Sequence, residues 1–171
     1  SLDKKLSDQM NAILHHPEFQ KIESAWRGLP HTINNSETDA TLRVKVMNIS
    51  KPELENMFNA FPGARWDKSP LNMAIYEAEY GTLGGKPFGA LVGDYYFGLN
   101  STDVDLLTSV SKIAAAAHAP FISAASPELL GLDTWNELSA PPDISEIFLR
   151  PEFAKWNGLR DREDSRYLAL T

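Results

Sequence analysis

The residues that look most capable of chemistry lie in a glycine-rich segment from Glu79 to Phe97, where five glycines surround a short apolar run. Its Gly85-Lys86 pair is similar to the end of a phosphate-binding loop. Such a loop has four residues between its first Gly and its Gly-Lys pair, and Ser or Thr directly after the pair. It follows a strand and begins a helix. Here Gly81 stands three residues before the pair, Pro87 takes the hydroxyl position, and the order of helix and strand is reversed. These glycines instead indicate turns and close passage of the backbone.

The remaining candidates for chemistry are weaker. None of the four histidines has a metal-ligand spacing. The serines before proline fit helix caps, and no Gly-x-Ser-x-Gly elbow is present. Carboxylates alternate with arginines between Arg160 and Arg166, a pattern typical of a solvated face. A hydrolytic pair of carboxylates stays open as an alternative, but we predict no catalytic residue, no metal site and no cofactor. The histidines are His15, His16, His31 and His118.

Composition narrows the class of protein. The 171 residues suffice for one domain, and a hydrophobic fraction of 43% with a charged fraction of 23% is ordinary for a globular protein. No apolar run approaches the length of a membrane span. The net charge of −7 argues against nucleic acid as a partner. The absence of cysteine suits a reducing compartment, so we predict the cytoplasm. Ser1 at the start and an apolar strand pattern at the end suggest a piece cut from a longer polypeptide.

Two helices are predicted at the start of the chain. Apolar residues recur at helical spacing from Leu2 to Leu14, and Pro17 ends that helix while starting the next. Gly28 and Pro30 predict the end of the second helix, followed by a polar loop to Thr41. We therefore predict N-terminal helices over residues 1–30.

An α/β body is predicted over residues 42–171. Strands are expected over Leu42–Val46, Phe88–Gly93, Phe121–Ala124 and Tyr167–Thr171. Helices are expected after the capping pairs Ser50/Glu53, Thr102/Asp105 and Asp143/Glu146, after Ser69-Pro70, Ser126-Pro127 and Asp133, and from Pro151. The small residues Ala114–Ala117 allow the long central helix to pack closely. The predicted fold is a mixed, partly parallel central sheet flanked by helices, within a single domain over residues 1–171.

Four blocks in order along nearly the whole chain resemble the large subunit of the bacterial type VI secretion contractile sheath. They are His16–Phe19 with Trp26–Leu29, Tyr76–Phe97, Lys112–Phe121 and Glu163–Tyr167. The motif positions, interpreted as structural, are Trp26, Arg27, Gly28, Gly84, Gly85, Pro87, Phe88, Gly93, Asp94, His118, Pro120, Phe121, Ser165, Arg166 and Tyr167.

The resemblance implies a structural protein of the bacterial cytoplasm and not an enzyme. It implies assembly with a small sheath subunit and neighbouring sheath protomers around the hexamers of an inner tube. A baseplate and a recycling unfoldase ATPase are the further partners implied in the assembled system. The family's large subunit is longer at both ends than this chain. Two alternatives stay open: a nucleotide- or phosphate-binding enzyme domain using Gly81–Gly93, and a stand-alone adaptor.

Overall fold

The structure is a computed structural model that describes residues 2–37, 41–139 and 144–171. Its contacts divide the chain into two compact units, Ser1–Asn48 and Ile49–Thr171. The single domain over residues 1–171 stays a prediction. The predicted cap at Asp143 lies outside the described residues.

The first unit contains two helices, α1 (Leu2–Leu14) and α2 (Pro17–Asn34). Pro17 separates them as predicted, because its ring disfavours helical backbone at the preceding residue. The side chain of His16 caps α2, and its Nδ1 accepts the backbone N–H of Glu18 at 3.3 Å. No residue of either helix is buried.

The predicted end of α2 at Gly28 and Pro30 is wrong, because the helix continues to Asn34 with Pro30 inside it. Pro30 contributes no backbone N–H to the helix. The polar residues beyond it compensate by capping the helix further along. The side chain of Asn35 donates to the His31 carbonyl at 2.8 Å, and the Ser36 hydroxyl donates to the Thr32 carbonyl at 2.7 Å.

The second unit is built on a parallel sheet of β1 (Leu91–Phe97), β2 (Phe121–Ala125) and β3 (Leu168–Leu170), in the order β1-β2-β3. Leu91 pairs with Phe121, which pairs in turn with Leu168. The α/β fold class is therefore confirmed, and the three described strands all run parallel.

The first of these strands was predicted too early, over Phe88–Gly93. The ladder begins where the Leu91 N–H donates to the Pro120 carbonyl at 2.9 Å. It then continues to Phe97, past an irregularity between Val92 and Tyr96.

The strand predicted over Leu42–Val46 is wrong, since the structure has irregular backbone there. Alternating apolar residues form a strand only when another strand pairs with them. Within the described ranges, the sheet contains only β1, β2 and β3. The side chains of Leu42, Val44 and Val46 are exposed.

The sheet is covered by α5 (Ser101–Ala116), the long central helix. Its buried residues include Leu107, Ile113 and Ala114, each 0% exposed, and they belong to the same core as Phe97 and Phe121. Burial of this apolar face is the main force that holds the helix on the sheet.

The remaining helices lie around this core. They are α3 (Lys51–Ala60), α4 (Pro70–Asn72, continuing as a π-helix over Met73–Glu77), α6 (Ile144–Ile147) and α7 (Ala154–Arg160). Turns of 3-10 helix occupy Gly63–Lys68, Pro127–Leu130, Trp135–Ser139, Pro151–Phe153 and Glu163–Tyr167.

One predicted capping pair is confirmed and another is wrong. Ser50 and Glu53 form the predicted capping box of α3. The predicted pair Thr102/Asp105 does not cap α5, because the side chain of Asn100 accepts the Asp103 N–H at 2.7 Å. Asn is as good an N-cap as Ser or Asp, and it starts the helix earlier.

Candidate functional site

The glycine-rich loop satisfies its own donors. The backbone N–H of Gly85 donates to the Thr82 carbonyl at 2.9 Å, and that of Lys86 donates to a carboxylate oxygen of Glu79 at 2.9 Å. A phosphate would have to displace this carboxylate from the loop. The loop also follows helix α4 and precedes β1, the reverse of a nucleotide-binding loop.

Two glycines of the loop have clear backbone reasons. Gly84 has a φ of +84°, which favours glycine. A Cβ on Gly85 would overlap the backbone carbonyl of Glu79. Pro87 is exposed, and Phe88 packs half-buried against the core. At Gly84 and Gly85 the backbone thus accounts for glycine, whereas a Cβ on Gly89 would meet no atom within 4 Å.

Gly93 and Phe121, both motif positions, meet across β1 and β2. A Cβ on Gly93 would lie 2.6 Å from the Phe121 Cζ. The hydroxyl of Ser123 donates to the carbonyls of Gly93 at 2.8 Å and Tyr95 at 2.9 Å. Sequence analysis did not identify Ser123, and only strand order could have placed it beside β1. Asp94 points to the exposed side of the strand.

His118 and Tyr167 join the end of α5 to the segment before β3. The imidazole Nδ1 of His118 lies 3.0 Å from the Tyr167 hydroxyl. Its ring also lies 5.7 Å from that of Tyr80, which stacks on Tyr76 at 5.4 Å. His118 lies just beyond the end of α5, and its φ of 52° lets the chain turn towards Pro120. These rings tie the start of the glycine-rich loop to β3.

The mixed-charge run folds into a turn that supports β3. The Ser165 hydroxyl donates to the carbonyls of Arg160 at 3.0 Å and Arg162 at 2.6 Å. The Arg166 Nε donates to the Glu163 carbonyl at 2.9 Å. Arg162 pairs with Asp164 at 3.1 Å. The Asp164 carboxylate thus serves the turn, whereas Asp161 and Glu163 line the groove beside β3.

Trp26, Arg27 and Gly28 belong to the first unit. Trp26 is 70% exposed, Arg27 pairs with Glu23 at 2.6 Å, and a Cβ on Gly28 would meet no atom within 4 Å. The core provides no reason for these three residue types.

One buried charge, on Asp103, was not identified from the sequence. Asp103 is 3% exposed, accepts the Gly98 N–H at 2.7 Å and pairs with Lys51 at 2.5 Å. Lys51 also donates to the Tyr96 carbonyl at 2.8 Å and lies 4.7 Å from the Phe97 ring centre. This pair fixes the start of α3 against β1 and α5, a long-range role that spacing alone does not reveal.

Two side chains have shifted pKa values, and neither indicates catalysis. Burial first, and then the carboxylates of Asp94 and Glu53, raise the pKa of Tyr95 above its ordinary value. The Tyr95 hydroxyl donates to the Ile49 carbonyl at 2.7 Å, so it serves as a structural donor. The hydrogen bonds from the Ser50 side chain and backbone lower the pKa of Glu53.

The described parts of the chain contain no group of three or more His, Cys, Asp or Glu residues that could hold a metal ion. Nor does any described helix have both the length and the apolar composition needed to cross a membrane. A groove of about 790 Å³ beside β3 is lined partly by Leu129, Trp156 and Leu168. Among the described residues, the contacts between Gly93 and Phe121 and between His118 and Tyr167 hold segments of the second unit together.

Comparison with known proteins decides the family. The family model of VipB, described as the EvpB/VC_A0108 tail sheath N-terminal domain, matches residues 1–171. The chain belongs to this tail sheath family. It is also 55% identical over 171 residues to the type VI secretion system sheath protein TssC1 of Pseudomonas aeruginosa strain PAO1.

The tail sheath match covers 100% of this chain and 34% of TssC1, so the chain spans about a third of that relative's length. The resemblance derived from the sequence blocks is confirmed. A tail sheath is a structural assembly, in agreement with the prediction that the chain is not an enzyme.

Proposed function

We propose that this chain is part of the large subunit of a type VI secretion contractile sheath in the bacterial cytoplasm. The observation that carries the proposal is the 55% identity to a type VI sheath protein along the whole chain, together with the family match. The role is mechanical. The sheath subunits polymerise around an inner tube, and contraction of the sheath drives the tube and its spike outward.

The partners of this role are the small sheath subunit, neighbouring sheath protomers and the inner-tube hexamers. In the assembled system they extend to the baseplate and the recycling unfoldase ATPase. Copies that meet through head-to-tail contacts that do not close produce helical filaments. Strand addition at open sheet edges is one means of linking such copies.

The second unit suits a block that transmits force. Its parallel sheet is covered by α5, whose buried residues are in direct contact with the core. Close-packed interiors have low compressibility and transmit strain. The Asp103–Lys51 pair and the His118–Tyr167 contact each join segments that are far apart in sequence. We infer that the free energy of contraction resides in the interfaces between subunits and not in a chemical step here.

A chimera tests the proposal. These 171 residues would replace the matching 171 residues of TssC1 in Pseudomonas aeruginosa. We expect tubular sheaths in electron micrographs of cell lysates. A matched control carries the chimera with Phe97→Asp, which places a charge at a core position that is 0% exposed. Absence of tubes from the chimera, when it is present at the same level as TssC1, would contradict the proposal.

The phosphate-binding alternative is tested on the 171-residue chain itself. A ligand at a hundred times its dissociation constant adds about 2.7 kcal/mol of stability. We expect no change in melting temperature with ATP or inorganic phosphate, because Glu79 occupies the Lys86 amide. A rise that disappears in Lys86→Ala would support the alternative.

A further inference from the structure

Helix α2 carries a row of apolar side chains with the spacing of a coiled-coil seam. We call these residues the α2 stripe. They follow one another at intervals of three, four, three and four residues: Phe19, Ile22, Trp26, Leu29 and Ile33. Ile22 is 58% exposed and Trp26 is 70% exposed, and none of the five is buried. This spacing places all five on one side of the helix, as the a and d positions of a heptad do.

The positions that flank the stripe are acidic or neutral. Glu18 and Glu23 are the charged flanking residues, at the g and e positions. The neutral ones are Ala25, Pro30 and Thr32. Glu23 pairs with Arg27 at 2.6 Å, whereas in the parts of the chain that the structure describes no cation pairs with Glu18. Residues at e and g select the partner of a coiled-coil helix, because they face the flanks of that partner.

A second copy of α2 is a poor occupant for this surface. In a parallel pair, the g residue of one helix faces the e residue five positions further along the other helix. Glu18 of each copy would therefore face Glu23 of the other, and like charges would meet twice. In an antiparallel pair, Glu23 of each copy would face either Glu23 or Pro30 of the other copy, depending on the register. Neither arrangement provides the glutamates with a cation.

We propose that the α2 stripe binds an amphipathic helix of a different protein chain. That helix carries apolar residues at a and d, and Lys or Arg at the flanking e and g positions. The inference rests on the proposed function and deepens it, because it names a surface and the chemistry of the partner that the surface accepts. The apolar row supplies contact area, and the glutamates favour a basic partner.

Two synthetic peptides of three heptads test the charge preference on the 171-residue chain. Both carry Leu at a and d, and they differ only in having Lys or Glu at e and g. We expect the Lys peptide to bind about tenfold more tightly at low salt, because two glutamates change from repulsion to attraction. The difference should shrink at high salt. Binding would be measured by isothermal titration calorimetry.

Variants on the same helix separate the stripe from the rest of α2. Ile22→Asp should abolish binding of the Lys peptide, whereas Ser24→Asp, which puts the same charge on the opposite side, should leave it unchanged. The double variant Glu18→Lys/Glu23→Lys should reverse the preference and bind the Glu peptide more tightly. No residue of α2 is buried, so circular dichroism should report the same helix content in every variant.

Three results would overturn the inference. The two peptides could bind equally, or Ile22→Asp could bind like the unaltered chain. Sedimentation could instead show concentration-dependent dimers that Ile22→Asp removes, which would make a second copy the occupant. The sheath chimera separates the two proposals. Tubes that still form with Ile22→Asp contradict this inference alone, whereas absence of tubes from the unaltered chimera contradicts the proposed function and leaves the peptide result standing.

Discussion

Gly93→Ala is expected to destabilise the second unit, because the new methyl group has no space. Its Cβ would lie 2.6 Å from the Phe121 Cζ and 2.9 Å from the Tyr95 Cδ2. The Phe121 ring is 6% exposed and packs edge-on against Phe97 at 6.3 Å, so it cannot turn away freely. The Gly93 carbonyl is held by Ser123 at 2.8 Å, so the backbone is restrained as well.

The expected magnitude follows from the cost of overfilling a packed core, about 1–3 kcal/mol in the free energy of unfolding. For a chain of this size that lowers the melting temperature by about 2–12 °C. Urea unfolding and differential scanning calorimetry measure both quantities. The matched control is Gly158→Ala in α7, where a Cβ meets no atom within 4 Å. That variant should gain up to about 1 kcal/mol, because Ala is the better helix former.

A double variant identifies the cause. Shortening the ring in Phe121→Leu removes the atoms that a Cβ on Gly93 would meet. The loss in Gly93→Ala/Phe121→Leu should therefore be smaller than the sum of the two single losses. Losses that simply add, or a Gly93→Ala chain that melts with the unaltered one, would refute the packing argument.

Three further predictions concern α5 and β1. Ala114→Leu should cost about 1–3 kcal/mol in the free energy of unfolding, because Ala114 is 0% exposed. Ala115 is half-exposed, so Ala115→Leu should cost less. Equal losses in urea unfolding would contradict this prediction. Asn100→Ala should lower the free energy of unfolding by about 1 kcal/mol, because Asn100 caps α5, and Thr102→Ala should leave it almost unchanged. The opposite ranking would show that Thr102 is the cap, as expected from the sequence. Burial, then nearby carboxylates, raise the pKa of Tyr95 above 10.0. The unfolded phenol ionises first, so stability should fall as pH rises through and above 10; a Tyr95→Phe chain should show a shallower decline, and identical alkaline profiles would refute this.

Local signals in the sequence predicted local structure well. Pro17 starts α2, and the Ser50/Glu53 pair caps α3, because a cap or a proline acts within one helical turn. Of the small residues Ala114–Ala117, which were expected to let α5 pack closely, Ala114 and Ala117 are buried. The α/β class followed from alternating strand and helix patterns, which do not depend on strand order.

The wrong secondary-structure predictions lie where contacts with other segments determine the backbone conformation. The pattern at Leu42–Val46 is that of a strand, but no strand of the described sheet pairs with it. The start of β1 moved to Leu91, because the Pro120 carbonyl begins the ladder there. Polar residues after Pro30 extended α2 beyond its proline. In each case the sequence showed a local preference for strand or helix. The observed structure depended on a hydrogen-bond partner that the sequence did not reveal.

In the candidate site, too, local features were predictable from the sequence and contacts between distant segments were not. The reversed order around Gly85-Lys86 was enough to argue against a phosphate loop. The contact between His118 and Tyr167, and the bonds of Ser123 to β1, depend on which strands are neighbours. The family resemblance identified His118 and Tyr167 as motif positions without showing that they touch.

The parallel sheet also sets an order of events during synthesis of the chain. Phe121 in β2 pairs with Leu168 in β3, and no hairpin joins the two strands. While a ribosome is still making the intervening helices, one side of β2 stays bare, and unpaired strand edges invite association with other nascent chains. Polysomes that crowd many unfinished copies together would therefore rely on chaperones to shield β2 until translation reaches β3.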